Sequence, residues 1–306
     1  MTTHTPLRLA IAQTRMHWNG DDNTATTLAA LAQAAARGAA MCVFAELTLT
    51  GIHRQIVAQA QPARVAAWMH AVAAACAQHR IAAAVGAPVF RTDSEGLGAI
   101  HIAHHFCNAE GQWIGHIEKQ GLTGAEATFF QPGRDRSVIT LLGRRFSAVI
   151  CREIDDADTL VPQWAALQPD ILLWPGAMRP DPALPLPPPG APMRHVQQAQ
   201  QLARDSGAIV IQANWPNALN RPEEGEHAGQ SVCIAADGTI LLSLPRAAAG
   251  VAVFTLADKH FTDFEWHAET PDVTDTTPAP ASPTAPTSPT APTSPTAPTA
   301  PTAPKA

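Results

Sequence analysis

Apolar residues along the first 256 positions follow two alternating rhythms: short runs of strand length, and longer runs in which alanine and leucine return every three or four positions. Leu7 to Gln13 and Met41 to Ala45 read as strands, with an alanine-rich helix between them from Ala25 to Arg37, stopped by Gly38. A second helix is predicted over Ala63 to His79 and a third strand over Ile81 to Pro88. Ile100 to Cys107 and Trp113 to Ile117 form a hairpin joined by the turn Asn108 to Gly111. Beyond a long polar loop, strands are predicted at Ser137 to Leu142, Phe146 to Ile150, Ile171 to Trp174 and Ala208 to Asn214. Helices are predicted at Asp158 to Leu167 and Met193 to Ser206. Ser231 to Ala236, Ile240 to Leu244 and Val251 to Leu256 are expected to close the domain as a β-meander. This mixture of α/β units and hairpins predicts sheets covered by helices in a single domain, residues 1–268.

The rhythm stops near Thr270. From Pro280 to Pro304 a proline occupies every third position, spaced by Thr, Ala and Ser. Three residues per turn is the polyproline II period, and these residues bury little apolar area, so 269–306 is expected to be an extended, solvated extension. Hydrophobic residues make up 46% of the chain, enough for a packed core, and a net charge of −6 leaves no footprint for nucleic acid or an anionic membrane. No basic leader precedes an apolar stretch, and no run approaches the roughly 18 apolar residues of a membrane span. A cytoplasmic protein acting on a small molecule is the expectation.

The five cysteines are odd in number, widely spaced and free of any C-x-x-C pair, so neither a disulfide framework nor a structural zinc is expected. Cys42, Cys76 and Cys233 lie inside apolar runs, and Cys107 ends a strand before a turn; all four read as packing residues. Cys151 differs. It follows FSAVI and precedes Arg152-Glu-Ile-Asp-Asp156, where a strand hands over to a helix whose first amides favour a thiolate. Glu46 closes an apolar strand in the same manner, either as a solvated strand end or as a catalytic carboxylate. Lys119 closes a third strand, where a lone lysine is most often just solvated.

FAELTLTG around Glu46, EKQGLTGAEATFFQPG from Lys119 through a second glutamate, Glu126, and AVICRE around Cys151 resemble, in order and spacing, the nitrilase superfamily of carbon-nitrogen hydrolases. The opening LRLAIAQ and the segment GQSVCIAADGTIL extend the resemblance over about the first 256 residues. It implies a four-layer α-β-β-α sandwich, paired into homodimers or larger homo-oligomers, with no metal or organic cofactor. It also implies a Glu46–Lys119–Cys151 triad: Glu46 as general base, Cys151 as nucleophile, and Lys119 with the Arg152 backbone N–H stabilising the tetrahedral intermediate. Glu126 would orient Lys119 or the substrate, and Glu153, Trp174 and Met178 are expected to contact the substrate.

The implied reaction is hydrolysis of a small amide or N-carbamoyl compound through a thioester, since Cys-Arg-Glu does not resemble the Cys-Trp-Glu of true nitrilases. A nitrile hydrolase, an acyl transferase with the same triad, and a non-catalytic binding module that keeps the fold are the alternatives. The chain departs from the family pattern at Ala45, where proline is common, at Ser147, where glycine is common, and at Gln198 to Gln201, where an Arg and a Glu are common. These positions belong to the shell that shapes the pocket.

In HIAHH, His101 and His105 face one side of a strand and His104 the other, without a carboxylate cluster, so no metal is expected. The proline-rich loop Arg179 to Pro192 is expected to be a stiff lid that selects substrates. Trp164, Trp174 and Trp215 line the pocket or, as such residues more often do, pack the core.

Overall fold

A computed structural model describes residues 5–269, apart from 93–97, 180–184, 186, 189–190, 223–228, 247 and 258–259. The proline-rich extension from residue 270 onward and much of the expected lid lie outside the described residues.

Two sheets carry the site. The first runs in the order β13 (His260–Ala268), β12 (Gly250–Ala257), β1 (Leu7–Gln13), β2 (Met41–Val43), β3 (Ala82–Thr92), β4 (Gly98–Cys107), β5 (Trp113–Glu118). The second runs β11 (Ile240–Ser243), β10 (Val232–Ile234), β9 (Ile209–Asn214), β8 (Ile171–Gly176), β7 (Arg144–Ala148), β6 (Ile139–Leu141). Strands β1, β2 and β3 are parallel, as are β7, β8 and β9. Each sheet therefore has a parallel centre, and ligand sites in such sheets form beyond the strands' carboxyl ends.

Alternation along the strands divides the core into three apolar layers. Leu9, Ile11 and Val43 of the first sheet meet Phe146, Ala148 and Leu173 of the second. On the other face of the first sheet, Ala12, Phe44 and Val85 pack beneath α1 (Gly20–Ala36) and α3 (Pro62–His79). On the outer face of the second, Leu172, Trp174 and Val210 pack beneath α4 (Ala157–Leu167) and α5 (Arg194–Ser206). The result is a four-layer α-β-β-α sandwich. A one-turn helix, α2 (Ile56–Gln59), precedes α3. No helix among the described residues is long and apolar enough to cross a membrane.

Helix α1 begins five residues before the apolar pattern suggests. Its first turn is polar and is held instead by a cap: the Asn19 side chain accepts from Asp21 N at 3.1 Å, and Asp21 and Asp22 sit at the positive end of the helix dipole. Gly20 lets α3 approach, since a Cβ there would fall 2.2 Å from the Trp68 ring.

The expected meander does not form. After β11 the chain crosses to the first sheet, where β12 pairs antiparallel with β1, and β13, unforeseen in the sequence, adds an outer strand. Pro245 has no N–H to extend a ladder. Gln13 secures the crossing by donating to Pro245 O at 2.7 Å and Ala248 O at 2.6 Å. Strand β12 is buried on both faces, Val251 and Val253 toward the helices and Ala252 and Phe254 toward the second sheet. A strand at the edge of the smaller sheet would leave one of those faces in water.

Candidate active site

Glu46 stands in a tight turn just beyond β2. Leu47 takes a positive φ of 48°, Gly51 N donates to Leu47 O at 2.8 Å, and the Thr48 hydroxyl donates to Ala45 O. Gly86 of β3 makes room for this turn, because a Cβ there would lie 2.2 Å from Leu47 N. From just beyond β9 of the second sheet, Trp215 Nε1 donates to Glu46 O at 2.9 Å. The Glu46 side chain is thereby held 1% exposed at the carboxyl end of the first sheet.

Lys119 follows β5, and its N–H continues the ladder to Ile102 O at 2.8 Å. Its side chain is completely buried, and Nζ donates to Glu46 Oε1 at 2.8 Å and to Glu126 Oε1 at 2.7 Å. Glu126 opens a single 3-10 turn, where its Oε2 accepts from Thr123 N at 2.7 Å and its own N–H donates to the Thr123 hydroxyl at 3.2 Å. This reciprocal capping-box pair fixes the carboxylate before the lysine reaches it.

Cys151 lies three residues beyond the end of β7 and opens the 3-10 turn Cys151–Asp156 that leads into α4. Its φ of 54° lies in the left-handed region that non-glycine residues rarely enter, so the surrounding structure holds it there. Its carbonyl accepts from Trp174 Nε1 at 3.1 Å, and Met178 Sδ is 3.8 Å from Sγ. Arg152 comes second in the turn, among the first amides of a helical segment, which have no intrahelical acceptor. Its guanidinium turns away to pair with Asp156 at 3.0 Å.

The electrostatics follow from burial. Burial pushes the Glu46 carboxyl up to about 7, against the pull of the Lys119 ammonium and the Cys151 thiol and with a push from Glu126. Burial also raises the Cys151 thiol, as do Glu46 and Glu126, while Lys119 and the Ala177 N–H act the other way. Burial alone would lower Lys119, but Glu46, Cys151 and Glu126 outweigh it and hold the ammonium charged. One oxygen of Glu46, Oε2, is buried without a hydrogen-bond partner. An unpaired carboxylate oxygen beside a thiol is positioned to take its proton.

The family model for carbon-nitrogen hydrolases matches residues 8–260. The chain belongs to the carbon-nitrogen hydrolase family. An amidase from Nesterenkonia sp. has the same fold, with a TM-score of 0.67, 22% identity and coverage of 84% of this chain and 92% of that one. A glutamate-to-glutamine mutant of the amidase from Nesterenkonia sp. AN1, showing covalent addition of the acetamide moiety of fluoroacetamide at its active site cysteine, also has a TM-score of 0.67 and 22% identity, covering 84% and 91%. Glutamine-dependent NAD+ synthetase from Acinetobacter baumannii, 21% identical with a TM-score of 0.69, is covered over 47% of its length by 84% of this chain. No curated protein is significantly similar in sequence.

In this member of the family, Glu46, Lys119, Glu126 and Cys151 converge, although Lys119 and Glu46 stand 73 positions apart. Met178 flanks the thiol. Trp174 is fully buried behind Cys151, packed in the outer core, and its indole N–H holds the Cys151 backbone. Glu153 is likewise turned inward: both its oxygens accept from Arg136 and from backbone amides of the chain itself. The sequence reasoning passed over Asn214, which ends β9 and clamps Met178 by accepting from its N–H at 2.8 Å and donating to its carbonyl at 2.9 Å. Its place at a strand's carboxyl end, like that of Glu46 and Cys151, was the available signal.

The histidines lie apart from this cluster. His105 packs against His116 and Trp113, and His101 lies 3.9 Å from Glu118, while His104 is buried beside Phe106 on the opposite face. Among the described residues, no group of three or more His, Cys, Asp or Glu is arranged to hold a metal ion.

Proposed function

We propose that the chain hydrolyses the carbon-nitrogen bond of a small amide or N-carbamoyl compound, with Cys151 as nucleophile, Glu46 as general base and Lys119 as electrostatic partner. The observation that carries this reading is the division of labour on Glu46: one oxygen accepts from Lys119, and the other is buried and unpartnered within reach of the Cys151 thiol. The cysteine adduct in the Nesterenkonia amidase mutant supports the same role for a cysteine in this fold.

With the thiol pushed up and Glu46 near 7, the proton rests on sulfur at neutral pH and moves only during attack. As the S–C bond forms, Glu46 takes the thiol proton, and Lys119 with the Arg152 N–H faces the developing oxyanion. Losing one such donor typically slows a reaction about 100- to 1,000-fold. Glu46 then returns the proton to the departing nitrogen, the C–N bond breaks and a thioester remains. Water attacks the thioester carbon as Glu46 takes its proton, the new C–O bond forms, the S–C bond breaks, and Glu46 returns the proton to sulfur as the acid leaves. Glu126, fixed by Thr123, holds Lys119 in place throughout.

Ammonia release across small amides, ω-amides, N-carbamoyl compounds and nitriles, for the parent and for Cys151→Ala, tests this reading. The parent is expected to release ammonia from an amide or carbamoyl compound, and the variant from none. Parental release by Cys151→Ala, or release from nitriles alone, would overturn it.

A further inference from the structure

Two residues that border the reacting groups, Gln120 immediately after Lys119 and Ile150 immediately before Cys151, are bound to one side chain. Glu153 Oε1 accepts from Gln120 N at 2.7 Å, Gly121 N at 3.0 Å and Arg136 Nη2 at 2.9 Å. Its Oε2 accepts from Ile150 N at 2.6 Å and Arg136 Nη1 at 3.2 Å. Both charged side chains are 1% exposed. Arg136 also donates to Ala148 O and to the Gln120 side chain, and its guanidinium lies 5.3 Å over the Trp164 ring of α4.

We propose that the Glu153–Arg136 pair is a positioning device that sets the spacing between Lys119 and Cys151 without touching the substrate. A buried ion pair is a poor source of net stability, since well-packed apolar residues of similar volume often do as well or better. An apolar filler, however, could not accept from three backbone N–H groups belonging to two separate segments. A carboxylate is acceptor-only, and here its two oxygens take five donors arriving from both sides, three on Oε1 and two on Oε2. A neutral amide in its place would aim an NH2 group at other donors. The two segments are also in direct contact: a Cβ on Gly121 would fall 3.1 Å from Glu153 Cγ and 3.1 Å from Arg152 Nη1. The carboxylate therefore behaves as a rivet through the Lys119 loop and the Cys151 turn, with the guanidinium neutralising it and anchoring it to α4.

This inference rests on the proposed roles of Lys119 and Cys151, and its test separates the two. In Glu153→Gln, kcat is expected to fall about 100-fold with KM changed less than about threefold, the scale on which a misplacement of about 1 Å acts. The pH midpoint for alkylation of Cys151 by iodoacetamide is expected to shift in the same variant, because the thiol's distances to Lys119 and Glu46 change. A purely structural role would lower thermal stability and leave both readouts of the folded protein as in the parent; that result would overturn the proposal. Should Glu153→Gln fail to fold, amide hydrogen exchange in the parent decides. Gln120, Gly121 and Ile150 are expected to be protected together, and exchange at the rate of open loops overturns the proposal. Alkylation requires no substrate, so a parent that hydrolyses nothing defeats the hydrolase reading while the alkylation profile still reports on the rivet.

Discussion

Lys119 and Arg136 each hold a buried glutamate, and the two pairs differ in what the carboxylate has left over. Around Arg136, both oxygens of Glu153 are consumed by the guanidinium and three backbone amides. Around Lys119, Glu46 has one oxygen engaged and one buried without a partner, next to the only cysteine that is not fully enclosed. Saturation makes the first pair rigid and chemically silent. The spare lone pair suits the second to the proposed role of base: burial pushes Glu46 up to about 7, where it can exchange a proton with a thiol. Equal burial thus supports opposite roles, and hydrogen-bond count decides between them.

The comparison breaks first if Glu46→Gln remains active. A fall in kcat/KM of about 1,000-fold or more is expected from removing a general base, with ammonia release as the measurement. A loss below tenfold would place the base elsewhere. Next in size is Arg136→Met, which leaves the Glu153 charge buried and uncompensated and is expected to cost about 3–5 kcal/mol in urea unfolding. A cost below about 1 kcal/mol would show that the amides alone neutralise Glu153. Gly86→Ala drives a Cβ against Leu47 N and is expected to cost about 1–3 kcal/mol of stability together with part of the activity, because the Glu46 turn must move. A variant as stable and active as the parent would show that the turn is more pliant than its contacts indicate.

The smallest effect sharpens the comparison by pH. The base must be deprotonated, and its folded-state pKa is raised above the usual 4.5 to about 7, so kcat/KM is expected to fall as pH drops through about 7, roughly tenfold per unit below it. An acid limb near 4.5 would mean that Glu46 is not the titrating base.

Much of the fold was legible because it is local. Strands such as Leu7–Gln13 and helices such as Pro62–His79 announce themselves by period, and a chain reversing at Gly38 or Gly207 needs little more than its glycine. The strand-end positions of Glu46, Lys119 and Cys151 were legible in the same way, as polar residues closing apolar runs. The role of Glu153 was not: apart from Ile150 its partners lie 17, 32 and 33 positions away, and the charged residues near it in sequence, Arg152 and Asp156, are part-exposed and pair with each other. Asn214 and Gly86 were hidden for the same reason, each acting on a segment distant in the chain.

The sequence by itself determined the alternation of strands and helices, the faces that must be buried, and the residues available at the strand ends, because period and side-chain chemistry are properties of neighbours. Only the tertiary structure decided that β12 leaves the second sheet for the first, that Glu46 meets Lys119 across 73 positions, and which glutamate would keep an unpaired oxygen. Apolar periodicity specifies that a face is covered without naming what covers it, and a carboxylate's reactivity depends on the number of donors the fold brings to it.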